Sequence, residues 1–147
     1  MKKIISVVSI ALCFCLFLTA CSTSFSYTFN IENGDRIKVK LDTTNGHKLE
    51  QNDGQFTVVE EGKDPMYGAF LTEEMFGDYM DTALTKDVLE SGEDFCIFQQ
   101  DGELGRETYI LFMVDNSDTG IVLATLQDEA GARALYDLLT ITGNPKD

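Results

Sequence analysis

Thr108-Tyr109-Ile110-Leu111-Phe112-Met113-Val114 and Ile121-Val122-Leu123-Ala124-Thr125-Leu126, joined by Asp115-Asn116-Ser117-Asp118-Thr119-Gly120, decide the fold. Both runs are apolar at nearly every position, as strands covered on both faces are, so they are expected to form the middle of a sheet. The polar link is short and rich in turn-forming residues, which makes the pair antiparallel. Upstream, Phe95 to Gln100 reads as another strand, closed by a turn at Asp101-Gly102.

Downstream, Asp128 is placed to cap a helix over about 129–142. Its core stripe is read as Gly131, Ala134, Leu135, Leu138 and Leu139, with Gly143 and Pro145 as the stop. Gly131 costs about 1 kcal/mol relative to Ala inside a helix, so it is read as a point of close approach to the sheet. A second helix, over about 73–86, starts at the cap residue Thr72 with Glu73 and Glu74 where the helix dipole favours negative charge. Met75, Phe76, Tyr79, Met80, Ala83 and Leu84 recur at helical spacing and are expected to pack on the sheet.

Further strands lie closer to the N-terminus. Phe25, Tyr27 and Phe29 alternate with Ser26 and Thr28, and Arg36-Ile37-Lys38-Val39-Lys40-Leu41 alternates cation with aliphatic. Asn33-Gly34 between them is a strong hairpin signal. Turns at Asn45-Gly46 and Asp53-Gly54 precede strands over Gln55 to Glu60 and Met66 to Leu71. The expectation is an α+β fold, a mainly antiparallel sheet of six to seven strands with two helices packed on it, as one domain over residues 25–147.

The first residues have a different character. Met1-Lys2-Lys3 is a short positive region, Ile4 to Phe17 is an apolar core, and Leu18-Thr19-Ala20-Cys21 resembles the lipobox of bacterial lipoproteins. The apolar stretch falls short of the roughly 20 residues a spanning helix needs. The resemblance implies a signal over residues 1–20, cleavage before Cys21, diacylglycerol on the Cys21 thiol and often a further acyl chain on the new amino terminus. It further implies an address at the cell membrane, lipid-anchored, with the domain on the extracytoplasmic side. Residues 21–24 are then the lipidated terminus and a short tether.

Composition excludes some functions. All 25 acidic residues follow Cys21, whereas Lys2 and Lys3 of the 11 basic ones leave with the signal, so nine cations face 25 acids. Nucleic acid is not expected as a partner, because cations neutralising phosphates supply nearly all non-specific affinity. Cys13 and Cys15 also leave with the signal and Cys21 is lipidated, so Cys96 is the only free thiol. It lies in the apolar run Phe95-Cys96-Ile97-Phe98 and is read as a core residue.

Sites for chemistry are sparse. Asp115, Ser117, Thr119 and Gly120 mimic half of a calcium loop, but the twelfth position, which needs a bidentate carboxylate, is Leu126. Glu60, Glu61 and Asp64 read as solvated turn charges, and His47, the only histidine, as a surface residue. No hydrolase elbow or phosphate loop is present, so no catalytic residue and no cofactor or metal is assigned. The pattern that stands out is Arg36, Lys38 and Lys40 on one face of a strand, a candidate binding patch for an anionic ligand. Cross-strand acids or an edge position would explain it equally well.

The order of elements, with Asn45-Gly46-His47-Lys48-Leu49 followed by Gln55-Phe56-Thr57-Val58-Val59, resembles the Mog1/PsbP-like domains over roughly residues 25–142. That likeness implies a binding or assembly role. The expectation for function is therefore a membrane-anchored envelope lipoprotein, non-catalytic, with an envelope protein as its partner. The alternatives are an envelope enzyme using carboxylates and a calcium-dependent binding module.

Overall fold

The computed structural model describes residues 23–145, so residues 1–20, read as a signal, and Cys21 lie outside the described residues. The two apolar runs form β8 (Gly105–Met113) and β9 (Thr119–Thr125), paired antiparallel with Ile110 opposite Leu123. They sit inside a seven-stranded antiparallel sheet. Beyond β9 come β5 (Met66–Thr72), β4 (Gln55–Val59) and β3 (Lys48–Asn52); beyond β8 come β7 (Phe95–Gly102) and β6 (Asp87–Ser91). The expected α+β class and central position of these strands are both observed.

The sheet divides sequence neighbours. After β5 the chain enters α1 (Glu73–Ala83), which crosses one sheet face to the far edge, and β6 to β9 then return strand by strand to pair with β5. α1 starts as read, with Thr72 Oγ1 accepting from Met75 N at 3.2 Å. It ends at Ala83, capped by Leu84, three residues short of the expected boundary at 86. Phe76 and Ala83 are buried against Leu71, Cys96, Phe98 and Leu111. Gly120 makes room for this contact, since a Cβ there would lie 2.6 Å from the Phe76 ring. Met75, Tyr79 and Leu84 are exposed, contrary to the expected stripe. A single 11-residue helix on an otherwise open sheet face buries only the line that touches the strands.

The opposite face of the large sheet is covered by a second sheet rather than by helices alone. β1 (Ser24–Asn30), β2 (Arg36–Asp42) and β10 (Leu139–Gly143) form it, with β2 in the centre and both pairings antiparallel. Ile37, Val39 and Leu41 of β2 are fully buried against Phe56, Val58, Met66, Ile110, Ile121 and Leu123 of the large sheet. The expected antiparallel sheet of six to seven strands with two helices is present as the seven-stranded sheet, and the three-stranded sheet is added to it, making ten strands and two helices among the described residues. Strand periodicity specifies which face is buried, not which strands pair.

The last helix is the main correction. α2 spans Glu129–Asp137, not 129–142, and residues 139–143 are a strand. Asp128 Oδ1 accepts from Gly131 N at 2.9 Å, so the cap is as read. Leu139-Thr140-Ile141-Thr142 alternates with two-residue period and is rich in β-branched side chains, which favour strands. The second edge of β2 supplies the pairing partner, and Asp42 N donates to Leu138 O at 2.9 Å. In α2, Ala132 and Leu135 are buried whereas Ala134 is exposed. At Gly131 the atoms nearest to an added Cβ belong to Gln127 and Asp128 rather than to the sheet, with Gln127 Oε1 at 2.5 Å, so the closest approach is that of the Gln127 side chain.

Candidate functional site

β2 places Arg36, Lys38 and Lys40 on one side and Ile37, Val39 and Leu41 on the other, alternately exposed and buried. The buried triplet is locked into the core, so the cations are held on the outer face of the three-stranded sheet. Successive side chains on one strand face stand about 6.6–7 Å apart. The neighbouring strands decide the chemistry of the row.

Lys40 stands opposite Ser26 of β1 and Thr140 of β10, and Lys38 opposite Thr28 and Thr142. Arg36 is opposite Asn30. All these cross-strand neighbours are exposed. No acid therefore faces a cation of the row across either strand pair, and β2 is a central strand rather than an edge. For Lys38 and Lys40, cross-strand salt bridging and edge protection both fail as structural explanations. Lys38 and Lys40 make no ion pair among the described residues.

One carboxylate closes the row. Asp42 shares the outer face with Lys40 and lies opposite Ser24. Hydrogen bonds from Thr44, aided by the charges of His47 and Lys40, hold its carboxyl below the ordinary range. At the other end, Arg36 N donates to Asn144 Oδ1 at 3.1 Å and Asn144 N donates to Arg36 O. This ties the start of β2 to the end of β10. The result is a flat surface of ammonium, guanidinium, hydroxyl and amide donors, suited to an anion and lacking any nucleophile–base pair.

The other sequence candidates are placed as follows. Cys96 is fully buried beneath α1, where burial pushes its thiol pKa up, so it is a core thiol. His47 is not the surface residue expected: its side chain is only 10% exposed, Nε2 lies 3.6 Å from Glu60 Oε2, and Nδ1 is buried without a hydrogen-bond partner. Glu60 also pairs with Lys63 at 2.9 Å, and the backbone carbonyl of Asp64 accepts from Gln127 Nε2. In the calcium-like loop, Ser117 Oγ donates to Val114 O and Thr119 Oγ1 donates to Asp35 Oδ2. Among the described residues no three His, Cys, Asp or Glu side chains gather as a metal requires.

Thr140 and Thr142 are the functional candidates that the sequence reading missed, because they were assigned to a helix. The alternation Leu139-Thr140-Ile141-Thr142 was the signal for them. No helix among the described residues is long and apolar enough to cross a membrane. No family model, curated protein or solved structure matches this chain.

Proposed function

We propose that this chain is a membrane-tethered, non-catalytic binding module of the cell envelope, and that the outer face of the three-stranded sheet takes an anionic group of an envelope component. The observation that carries the reading is the pair Lys38 and Lys40 on a central strand, without an ion pair among the described residues and faced by the hydroxyls of Ser26, Thr28, Thr140 and Thr142, with Arg36 extending the row. In a chain with a formal net charge of −14, such a row has no role in general solubility, which the acids already supply. The lipobox at Cys21 supports the tether, and the likeness to Mog1/PsbP-like domains supports binding rather than catalysis. Two residues, Ser22 and Thr23, separate Cys21 from Ser24 of β1, so the three steps between them reach roughly 10 Å. That keeps the basic face close to the membrane, with Lys40 near its tethered end.

Three carboxyls are unsuited to general-acid work near neutral pH. Asp35, Asp42 and Glu60 are all pushed down by hydrogen bonds or cations, whereas a general acid near neutral pH needs a carboxyl pushed up. The test is photocrosslinking in intact cells from a probe at Thr28 or Thr142. A crosslinked envelope component is expected, and Lys38→Glu with Lys40→Glu should abolish it while changing stability by no more than about 0.5 kcal/mol per site, as exposed substitutions do. An unchanged crosslink in the double variant would refute the role of the face.

A further inference from the structure

A cavity of about 350 Å³ opens where the two sheets part, between β7, β8, α2 and β10. Its volume falls in the range of small-molecule sites. Phe95, Phe112 and Tyr136 supply aromatic walls and Ile141 an aliphatic one. Tyr136 is the centre of this group, with ring centroids 5.4 Å from Phe112 at 64° and 6.1 Å from Phe95 at 49°. The rings meet tilted and edge to face rather than stacked.

Asp94 and Asp115, both exposed, line the same cavity, and the charge of Asp115 acts on Tyr136. Neither side chain has a cation or hydrogen-bond partner among the described residues. Arg133, one turn before Tyr136, is already held by Glu90 at 2.7 Å and Glu129 at 2.9 Å. The cavity therefore joins apolar ring surface to uncompensated negative charge. The field of the nearby acids reaches the ring itself: burial raises the Tyr136 pKa, and the charges of Asp137, Asp115 and Glu90 raise it further.

We propose that this cavity binds a small organic cation of the alkylammonium class, its methyl or methylene groups against Phe95, Phe112 and Tyr136 and its charge between Asp94 and Asp115. A soft cation satisfies both features at once, because ring quadrupoles and carboxylates attract it together and its alkyl groups fill the apolar part. A metal ion would leave the rings unused, and a neutral apolar ligand would gain nothing from the two acids. The negative charge of the chain raises the local concentration of cations at the mouth. This site is independent of the basic sheet face, whose ligand has the opposite charge.

The test is calorimetric titration of the full-length chain in nonionic detergent with choline, tetramethylammonium and 3,3-dimethylbutan-1-ol, the neutral carbon isostere of choline. Saturable binding of choline with Kd of about 1 mM or tighter is expected for a ligand of this size. The isostere should bind roughly tenfold more weakly, the difference belonging to charge. Asp94→Asn with Asp115→Asn should lower choline affinity to that of the isostere and leave the isostere unaffected. Equal binding of choline and isostere to the native chain overturns the proposal. So does a double variant that keeps the preference, or no saturable binding of either cation at about 50 mM.

Discussion

Replacing Asp35 tests how the two sheets are joined. This residue lies in the loop between β1 and β2, and its Oδ2 accepts from Asn33 Nδ2 at 3.1 Å, Asp118 N at 2.9 Å and Thr119 Oγ1 at 2.8 Å. Its Oδ1 accepts from Asn144 Nδ2 at 3.0 Å. One carboxylate thus ties the first hairpin, the β8–β9 turn and the end of β10. In Asp35→Ala, water can replace the acceptor for the exposed amides of Asn33 and Asn144, so each of those bonds is worth about 0.5 kcal/mol. The Asp118 N–H, also exposed, adds about 0.5 kcal/mol, and the hydroxyl of the fully buried Thr119, which cannot be rehydrated as easily, about 1 kcal/mol. The expected loss is about 2.5 kcal/mol, or roughly 10 °C in Tm. The donors, Asn144 foremost, hold the folded carboxyl below its ordinary value of 3.8. A depressed folded pKa contributes stability that is complete above the unfolded value and is lost as pH falls through the folded one. The difference between native and variant should therefore be full at pH 7 and shrink below about pH 4. Urea unfolding of a fragment from Ser22 onward, followed by circular dichroism at both ends of that window, measures it. A loss under 1 kcal/mol at neutral pH, or a difference that widens in acid, would refute the reasoning.

Other outcomes follow from the packing and from the signal. Gly68→Ala would set a Cβ 2.2 Å from the buried Phe56 ring, so a destabilisation of about 2–3 kcal/mol is expected in the same urea assay, and a neutral result would contradict the Phe56–Gly68 register. Cys96 should resist thiol reagents in the native fragment and react on unfolding, since it is buried and its thiol pKa is raised; stoichiometric labelling at neutral pH without denaturant would show an opened α1 face. Cys21→Ser should abolish palmitate labelling and release from the detergent phase should follow; native protein found free of acyl mass and starting elsewhere would replace the lipoprotein reading with plain secretion.

Much of the fold was legible because it rests on local rules. Apolar runs over 108–114 and 121–126 identified the central strands, period-two alternation in Arg36–Leu41 identified a one-sided strand, and Thr72 and Asp128 marked two helix starts that the structure keeps. Burial on one or both faces leaves its period in the residues themselves. The row Arg36, Lys38 and Lys40 was visible for the same reason. Its meaning was not, because that depends on Ser26, Thr28, Thr140 and Thr142 from strands up to 106 positions away, brought alongside only by pairing. The edge strands β3 and β6 escaped notice since Lys48-Leu49-Glu50-Gln51-Asn52 and Asp87-Val88-Leu89-Glu90-Ser91 are mostly exposed on both faces and so carry no alternation. The division into two sheets and the turn of 139–143 from helix to strand were likewise tertiary decisions. A strand's hydrophobic period says which side it buries, whereas the free backbone edge that recruits a partner exists only once β2 is folded onto the core.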